Sequence, residues 1–445
     1  MMKIEMPKQV SKIIRTLEEH GFEAFAVGGC VRDSVLGRRP NDWDITTSAM
    51  PWQTKKLFKK TVDTGIQHGT VTVLQDGIGY EVTTYRIDGE YEDGRHPKEV
   101  VFTENLREDL RRRDFTINAM AYSERAGLVD AFGGMEDLKN GIIRCVGDPR
   151  ERFTEDALRV MRAVRFSGQL GFSIEENTRE AARELAPNLK KISAERIQTE
   201  LVKLLISDHP EYLRTAWELG MTAIFLPEFD EMMKTPQNTP HHCMCVGEHT
   251  LAAMKAVRAD KVLRLTMLFH DIGKPAVRST DEDGKDHFYG HGDVSAQMAG
   301  EILRRLKFDN DTLKQVKQLV RFHDWRPSLT DAAVRRGVYR IGEDLFPLLL
   351  EVERADVAAQ SDYQRKEKLE RLDQAEEIYH RILEEHQCLS LKTMAIAGKD
   401  LMEDGMKPGK ELGTMLNALL MEVLEDPEKN TKEYLIDRSR ELRES

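Results

Sequence analysis

The chain has 445 residues, of which 40% are hydrophobic and 32% charged, a balance typical of globular proteins with more than one core. No apolar run approaches the roughly 18 residues needed to cross a bilayer, and the N-terminus lacks the apolar core of a signal peptide. The formal net charge of -11 argues against broad non-specific affinity for nucleic acid. A local basic channel remains compatible with that charge, in the Arg-rich segments 107–113 and 150–165.

The five cysteines follow no regular spacing: Cys30, Cys145, Cys243, Cys245 and Cys388. An odd number without a framework predicts reduced thiols and a cytoplasmic protein. Two of them lie in the segment His241-His242-Cys243-Met244-Cys245, whose residue types include zinc ligands. Adjacent ligands without a second pair elsewhere favour an ordinary loop over a zinc site.

Short apolar runs and turns alternate in the first third of the chain. Apolar spacing predicts a helix over residues 6–20, and GFEAFAV (21–27) predicts a strand that runs into a double glycine. Further strands are predicted at 70–74 and 80–87, and a hairpin at 119–132 around Arg125-Ala126-Gly127. We therefore expect a mixed α/β segment up to about residue 145, with a largely antiparallel sheet.

The apolar period changes to three and four residues from Glu155 onward, which predicts helices in ALRVMRAVRF, ENTREAARELA and AERIQTELVKLLI. A loop rich in Pro, Asn and His follows at 235–247, and then a helical block over about 249–390. The tail, 394–445, has Gly-rich turns and one or two amphipathic helices. The predicted fold class is α+β, a mixed-sheet head followed by a predominantly helical body.

The local pattern Gly28-Gly29, Arg32-Asp33, Asp42-Trp43-Asp44 suits nucleotide chemistry. Two glycines after a strand let backbone N–H groups approach a triphosphate closely. On an extended strand, residues two apart point to the same side, so Asp42 and Asp44 would offer two carboxylates to Mg²⁺. Two ions there could clamp the attacking and the leaving oxygen of a nucleotidyl transfer. Glu81 is a third candidate carboxylate, and a solvated turn is the alternative.

Four ordered segments resemble motifs of the class II tRNA nucleotidyltransferase and bacterial poly(A) polymerase family. They are VGGCVRDSVLGRRPNDWDITT (27–47), RRRDFTINAMAY (111–122), EDALRVMRAVRFSGQLGF (155–172) and SAERIQTEL (193–201). The resemblance implies a polymerase-β-like head. It also implies addition of CCA to the 3′ end of tRNA from CTP and ATP.

The resemblance also assigns roles to residues. Gly28, Gly29, Arg32 and Arg113 would contact the nucleotide, and Asp42 and Asp44 would bind Mg²⁺. The nucleobase would be selected on the third segment by Asp156, Arg159, Arg162 and Arg165.

A carboxylate beside a guanidinium offers acceptors and donors that imitate a complementary base edge. On one helix, positions 156, 159 and 162 would rotate by about 60° per step and stay on one side, whereas Arg165 would be turned further, toward phosphate or RNA. The alternative for this stretch is an amphipathic helix with a solvated Arg/Glu face.

The segment RIDGEYEDGRHPKEVVFT (86–103) bears on which nucleotides are added. In the family it resembles, a flexible segment here accompanies the switch from CTP to ATP, and its full length favours complete CCA addition or A-only addition. Poly(A) polymerase is a weaker alternative, because the tail AIAGKDLMEDGMKPGKELG (395–413) resembles the end of bacterial CCA-adding enzymes.

A second set of ligand-type residues is His249, His270, Asp271, His291, His323 and Asp356. The surrounding text, EHTLAAM, LFHDIGKP, YGHGDVSA and RFHDW, resembles the HD phosphohydrolase superfamily. The resemblance implies that His249, His270, Asp271 and Asp356 bind a divalent transition metal of unspecified identity, with His291 and His323 for a second ion. Phosphodiesters or cyclic phosphates at RNA ends would be its substrates, and a metal-free His–Asp ion pair is the alternative.

The predicted organisation is a nucleotidyltransferase head (1–150), a helical neck with the nucleobase site (151–230), an HD-type metal domain (231–390) and a helical tail (391–445). The expected partners are the tRNA 3′ end, CTP and ATP, with neither a membrane nor DNA. Two rival interpretations remain: a relic head beside an active HD phosphohydrolase, and a non-catalytic RNA-binding protein. The intact carboxylates at both sites argue against them.

Overall fold

The structure is a computed structural model that describes residues 3–89 and 100–444. The chain divides into two compact units, residues 1–227 and 228–445, which are treated separately. Among the described residues, no helix combines the length and the apolar character needed to span a membrane.

The first unit is built on a seven-stranded mixed sheet with the order β3-β4-β5-β2-β1-β8-β9. All neighbouring pairs in it are antiparallel except β2 and β5, which are parallel. The strands of this unit are β1 (Ala24–Val27), β2 (Asp44–Thr47), β3 (Thr61–Gly65), β4 (Thr70–Gln75), β5 (Ile78–Thr84), β6 (Arg86–Asp88), β7 (Val100–Phe102), β8 (Met120–Ser123), β9 (Gly127–Asp130), β10 (Ile142–Ile143) and β11 (Ser173–Ile174).

Helices flank this sheet and form most of the first unit after it. They are α1 (Lys8–Glu19), α2 (Gly29–Val35), α3 (Pro51–Leu57), α4 (Leu106–Arg111), α5 (Gly134–Asn140), α6 (Pro149–Glu155), α7 (Leu158–Leu170), α8 (Glu176–Leu185), α9 (Ala194–Leu205), α10 (Leu213–Glu218) and α11 (Thr222–Phe225). The buried faces of β1 and β8 meet the loop side chains Tyr85 and Val146 in the core, so apolar contacts fix the position of β1, whose end leads into the double glycine.

The second unit is almost entirely helical. Its elements are α12 (Pro227–Lys234), α13 (Val246–Ala256), α14 (Lys261–Phe269), α15 (Lys274–Val277), β12 (Ser279–Thr280), β13 (Asp286–His287), α16 (His291–Arg305), α17 (Asn310–Phe322), α18 (Asp331–Ile341), α19 (Phe346–Ala359), α20 (Arg365–Glu384), α21 (Gly398–Glu403), α22 (Lys410–Glu425) and α23 (Lys432–Glu444). The tail thus has three helices, α21 to α23, where the sequence predicted one or two.

A buried arginine ties this tail to the helices before it. Arg335 on α18 donates from Nε to the carbonyl of Leu424 at 2.7 Å and from Nη2 to that of Glu425 at 2.9 Å. These are among the last carbonyls of α22, which lack partners within their own helix. The guanidinium therefore caps α22 and holds it against α18.

The fold class predicted from the sequence, a mixed-sheet head and a helical body, is confirmed. The segment 86–103 begins and ends in the antiparallel pair β6–β7, and its residues 90–99 lie outside the described residues. The helix predicted to carry position 156 is interrupted, because Asp156 has φ -141° and ψ 104° between α6 and α7. The expected drift of 156, 159 and 162 along one helix is therefore wrong for Asp156.

An ion pair with a buried carboxylate joins the segment after α4 to α7. Arg162 donates from Nε to Asp114 Oδ2 at 2.7 Å, and Asn118 donates to Asp114 Oδ1 at 3.2 Å. Burial acts to raise the pKa of Asp114, but Arg162 and the hydrogen bond from Asn118 lower it well below its ordinary value. The charged form of Asp114 is thus strongly preferred in the folded state.

We expect Asp114→Asn to lower the free energy of unfolding by about 1–3 kcal/mol, because it leaves the Arg162 guanidinium without its counter-ion. A lowered folded-state pKa stabilises the fold above the unfolded value of about 3.9 and loses that effect as pH falls further. The difference between wild type and variant should be constant from about pH 5 to 8 and shrink below about pH 4. Urea unfolding followed by circular dichroism measures it.

The matched control is Asp63→Asn, since Asp63 forms an exposed ion pair with Lys55 at 2.9 Å and exposed pairs contribute about 0–1 kcal/mol. A difference for Asp114→Asn that already declines between pH 7 and pH 5 would contradict the lowered pKa.

Candidate nucleotidyl-transfer site and metal centre

The double glycine brings the backbone directly beneath an arginine. Gly28 has φ +82°, a conformation that side chains rarely adopt, and a Cβ built on it would lie 2.9 Å from Arg113 Nη1. A Cβ on Gly29 would lie 3.6 Å from Arg32 Nη2. Both predicted phosphate-contacting arginines therefore lie against the glycines, and the buried Nε of Arg113 has no hydrogen-bond partner among the described residues.

Sheet register places the carboxylates beside this turn. Val27 pairs with Asp44, and Ile45 pairs with Val82 in the parallel pair β2–β5. Asp44 and Glu81 each precede a paired residue, so they lie side by side on one face. Asp42 lies just before β2 rather than within it, which corrects the expectation that both aspartates share an extended strand.

The electrostatics show that these three carboxylates repel one another. Burial raises the pKa of Asp44, which Arg113 opposes and Asp42 reinforces. Partial burial, then Asp44 and Asp42, raise the pKa of Glu81. The Asp44 side chain still reaches solvent, as expected at the mouth of a concave site. Crowded oxygen ligands of this kind are a donor set that fits Mg²⁺.

Two cavities meet at a pair of arginines. One, of about 210 Å³, is lined by Asp44, Glu81, Arg112 and Arg113 among others. The second, of about 250 Å³, is lined by Arg112, Arg113, Asp114, Asp156, Leu158, Arg159, Arg162 and Arg196. The shared arginines show that the cavity lined by Asp44 and Glu81 adjoins the predicted nucleobase site.

Asp109 holds those two arginines in place. Its carboxylate is fully buried, contacts Arg112 Nη2 at 2.9 Å and Arg113 Nη2 at 3.7 Å, and accepts a hydrogen bond from Thr46 at 3.0 Å. Burial acts to raise the pKa of Asp109, but Arg112 and Arg113 lower it. Asp109 is thus an anionic anchor for the arginines that line both cavities.

The base-selecting candidates are held by specific partners. Asp156 Oδ2 accepts from Arg196 Nη2 at 2.7 Å, and its Oδ1 accepts from the backbone N–H of Leu158 at 3.0 Å. Arg159 contacts Glu155 at 2.5 Å and the carbonyl of Arg112 at 3.2 Å. The Asp156–Arg196 pair faces the second cavity with a carboxylate and a guanidinium side by side.

Arg165 shares the ring of Phe166 with Arg162 but forms its ion pair with α9. It donates to the buried Glu200 at 2.8 Å and to Gln169 at 2.7 Å, and its guanidinium stacks 3.5 Å from the centroid of Phe166. Arg165 is not among the side chains that line the second cavity. The ion pair with Glu200 holds α7 against α9.

Sequence reasoning did not single out four residues of this site: Asp109, Arg112, Asn118 and Arg196. The motif segments that resemble the family contain Arg112, Asn118 and Arg196, so the resemblance could have identified these residues. Asp109 precedes those segments, and nothing in its local sequence indicates that β2 supplies its partner Thr46.

The second set of predicted ligands converges in the second unit. His249 on α13 contacts Asp356 on α19 at 2.7 Å and His270 at 3.3 Å, measured from Nε2. His291 and His323 meet at 3.0 Å through their Nε2 atoms. Asp271 links the two groups, since its Oδ2 lies 3.3 Å from His270 and its Oδ1 lies 3.4 Å from His291 and 3.6 Å from His323.

Each of these histidines directs its Nε2 atom toward the other residues of the set. Nδ1 lies beside a backbone carbonyl in His249, His270, His291 and His323, at 3.3, 2.7, 2.9 and 2.7 Å respectively. A carbonyl only accepts, so Nδ1 carries the proton and Nε2 of the neutral ring is left as a ligand. Two triads could each hold a metal ion. The first is His249, His270 and Asp271, and the second is Asp271, His291 and His323.

A lysine ammonium lies against one of these carboxylates. Lys274 Nζ lies 2.6 Å from Asp271 Oδ2 and donates to Gln237 at 2.8 Å. Burial acts to lower the pKa of His270, but Asp271 and Asp356 raise it to about 10. The carboxylates therefore attract positive charge strongly. Lys274 and Gln237 were not identified from the sequence.

Residues 241–245 form a loop ahead of α13. Cys245 caps α13 by accepting from the N–H of Glu248 at 3.5 Å, and Cys243 is exposed. Within the described ranges, neither metal triad includes a residue of this loop.

Family models match three parts of the chain. They describe a poly(A) polymerase head domain at residues 24–144, a "probable RNA and SrmB-binding site of polymerase A" at 171–233, and a tRNA nucleotidyltransferase domain 2 at 289–438. The first spans both the double glycine and the three carboxylates, and the third covers His291, His323 and Asp356.

Curated relatives and a solved structure match along nearly the whole chain. The CCA-adding enzyme of Levilactobacillus brevis is 37% identical over 429 residues, covering 95% of each protein, and that of Enterococcus faecalis is 36% identical over 98% of this chain and 96% of the relative. The structure of the Bacillus stearothermophilus CCA-adding enzyme in complex with CTP matches with a TM-score of 0.72 at 30% identity, over 99% of this chain and 100% of the other.

The full-length matches agree with the site geometry, in which a carboxylate cluster and an arginine-lined cavity adjoin in the head. The chain therefore belongs to the family of CCA-adding enzymes, within the tRNA nucleotidyltransferases and poly(A) polymerases.

Proposed function

We propose that this chain adds C, C and A to the 3′ end of tRNA from CTP and ATP. The observation that carries the proposal is the pair of cavities that share Arg112 and Arg113. One holds the carboxylates for the reacting phosphate, and the other holds groups that can recognise a nucleobase. Shape and backbone contacts of the helical part would select tRNA, because double-stranded RNA is recognised mostly by its shape and its backbone.

Asp42 and Asp44 are the residues proposed to hold two Mg²⁺ ions, with Glu81 beside them. The mutual repulsion of these carboxylates and the orphaned Nε of Arg113 fit a site built for cations and a triphosphate. When bound, the ions would neutralise developing charge on the attacking and leaving oxygens.

The residues of the head would then position the reactants. The glycines at 28 and 29 let the triphosphate approach the backbone, while Arg113 and Arg32 bind its oxygens by charge-assisted hydrogen bonds. Because Asp109 anchors Arg113 and Asn118 anchors Arg32 at 2.7 Å, both guanidiniums are held before substrate binds. Such preorganisation is the main source of rate in phosphoryl transfer.

Nucleobase selection is proposed for Asp156 and Arg159, with Arg162 completing the cavity wall. Asp156 offers acceptor oxygens and Arg196 offers donors beside them, which together can pair with the edge of a cytosine or an adenine. Arg165 is proposed to support this wall through Phe166.

The first experiment incubates the full chain and Mg²⁺ with tRNAs that end at the discriminator base, at C, or at CC, with CTP, ATP or both. Growth of all three to CCA is expected. Asp44→Asn should lower the rate at least about a hundredfold, because a metal ligand is weakened, while Asp63→Asn should leave it unchanged.

Other products would decide between the alternatives. Extension of only the CC-ended tRNA would make the protein an A-adding enzyme, and long A tails on varied RNAs would make it a poly(A) polymerase. Undiminished extension by a correctly folded Asp44→Asn variant would overturn the metal-binding role of that carboxylate.

A second prediction concerns selectivity. Asp156→Ala should reduce the preference for CTP over UTP, measured as the ratio of kcat/KM values, by at least about tenfold, because a hydrogen-bonding partner of the base is removed. Glu184→Ala is the control, since Glu184 forms an exposed ion pair with Arg150. Equal selectivity in wild type and Asp156→Ala would refute base recognition by this residue.

We also propose an HD-type phosphohydrolase centre in the second unit. Its support is the inward Nε2 atoms of four histidines around Asp271 and Asp356. These residues would hold a divalent transition metal, which would activate water and polarise a phosphoryl group. A location in the cytoplasm is proposed as well, because all five cysteines are free thiols.

His270→Ala should abolish metal-dependent hydrolysis of p-nitrophenyl phosphate and bis-p-nitrophenyl phosphate, and lower the bound metal measured by mass spectrometry. Extension of tRNA with Mg²⁺ should survive. His380→Ala, an exposed histidine of α20, is the control. Loss of tRNA extension in His270→Ala would indicate that His270 acts structurally instead.

A further inference from the structure

A cavity of about 560 Å³ opens onto the metal centre of the second unit. His323 and Asp356 both line it, and they come from different sides of the centre, since His323 contacts Asp271 and Asp356 contacts His249. A bound molecule would therefore lie against His323 of the second triad and against Asp356, which contacts His249 of the first. The volume lies within the range of about 300–1,000 Å³ found for small-molecule sites.

The walls of the cavity combine apolar, cationic and acidic groups, and the acidic ones are Asp324, Glu353, Asp356, Glu367 and Glu370. Trp325, Leu329, Val357 and Leu372 supply apolar surface, and Lys368 lies among them. Aromatic and aliphatic walls of this kind accommodate the organic part of a ligand.

Lys368 lacks a counter-ion, unlike two other cations nearby. Arg326 pairs with Asp324 at 2.6 Å and Lys366 with Glu370 at 3.6 Å. Lys368 is half-buried, and its Nζ contacts neutral groups: Gln360 at 2.6 Å and His241 at 3.1 Å. No carboxylate in the described part of the chain forms an ion pair with it.

Gln360 explains why this charge is not neutralised by the metal ligand next to it. An ammonium only donates, so the carbonyl oxygen of Gln360 faces Lys368. The amide nitrogen therefore faces Asp356 and donates to its Oδ2 at 2.7 Å. Gln360 thus separates the two charges, and leaves Asp356 free to bind metal and Lys368 free to bind an anion.

The surroundings of Lys368 favour an incoming anion. Burial and then the Arg326 guanidinium lower the pKa of Lys368, while Asp356 opposes the change. Burial and then Lys368 lower the pKa of His241 in turn. A phosphate group would relieve this repulsion among cations and replace the water lost by burial.

We propose that this cavity binds a phosphoester of about nucleotide size, and that Lys368 is the residue that binds its phosphate beside the metal ligands. The inference rests on the hydrolytic function proposed for this centre. The inference adds Lys368 as the anion-binding residue and limits the volume of the substrate. The apolar wall around Trp325 would contact the organic part of that substrate.

The test compares Lys368→Met with Lys366→Met in the full chain loaded with Mn²⁺. Calorimetry measures orthophosphate binding, and p-nitrophenyl phosphate hydrolysis gives KM and kcat. Lys368→Met should weaken orthophosphate binding about tenfold or more, because a charged hydrogen-bond donor is lost, and should raise KM similarly. Lys366→Met should match wild type, and Lys368→Arg should restore most of the binding. Mn²⁺ content and tRNA extension should be unchanged throughout.

Each failure has a different meaning. Hydrolysis by wild type with unaltered orthophosphate affinity and KM in Lys368→Met would overturn the inference and leave the hydrolytic function standing. Absence of hydrolysis by wild type would overturn that function instead. If wild type binds orthophosphate in that case and Lys368→Met does not, the cavity is still a phosphate site. If wild type does not bind orthophosphate either, the phosphate site is overturned as well.

Discussion

The carboxylate of Asp114 is bonded from two sides in the interior of the first unit. Asn118 donates to one oxygen and Arg162 to the other, and Asn118 in turn accepts from Arg32 at 2.7 Å. Arg32 belongs to α2 and Arg162 to α7, so one hydrogen-bonded chain connects the helix after the double glycine with the helix of the base cavity. In a buried setting such bonds strengthen one another and resist rearrangement.

This chain bears on the role proposed for the two cavities. If they hold the phosphates and the nucleobase of one nucleotide, the hydrogen bonds through Asp114 fix the separation between the two groups that bind them. Phe166 adds a packing element, because the guanidiniums of Arg32, Arg162 and Arg165 lie 5.0, 5.3 and 3.5 Å from its ring centroid. Three cations around one ring are tolerated because Asp114 and Glu200 supply the opposing charge.

The sequence predicted those features that depend on local order. The strand before the double glycine, the hairpin β8–β9 and the helix α7 follow from apolar spacing and turn residues, and they lie where expected. Asp156 departs from its predicted helix because its side chain instead accepts from the N–H of Leu158 and from Arg196. Partners from distant segments, such as Thr46 for Asp109 or His241 for Lys368, follow from the tertiary fold and have no local signature.

The two sites use charge in related ways within a chain whose formal net charge is -11. In the first unit, Arg113 lies between the buried Asp109 and the carboxylate Asp44, so its charge is held at the cavity wall. In the second unit, Gln360 keeps Lys368 apart from Asp356. An acidic surface weakens general attraction for polyanions. With the functions proposed for the two sites, cations fixed inside cavities would act on phosphates that fit, at the end of a nucleic acid or on a free nucleotide rather than along its backbone.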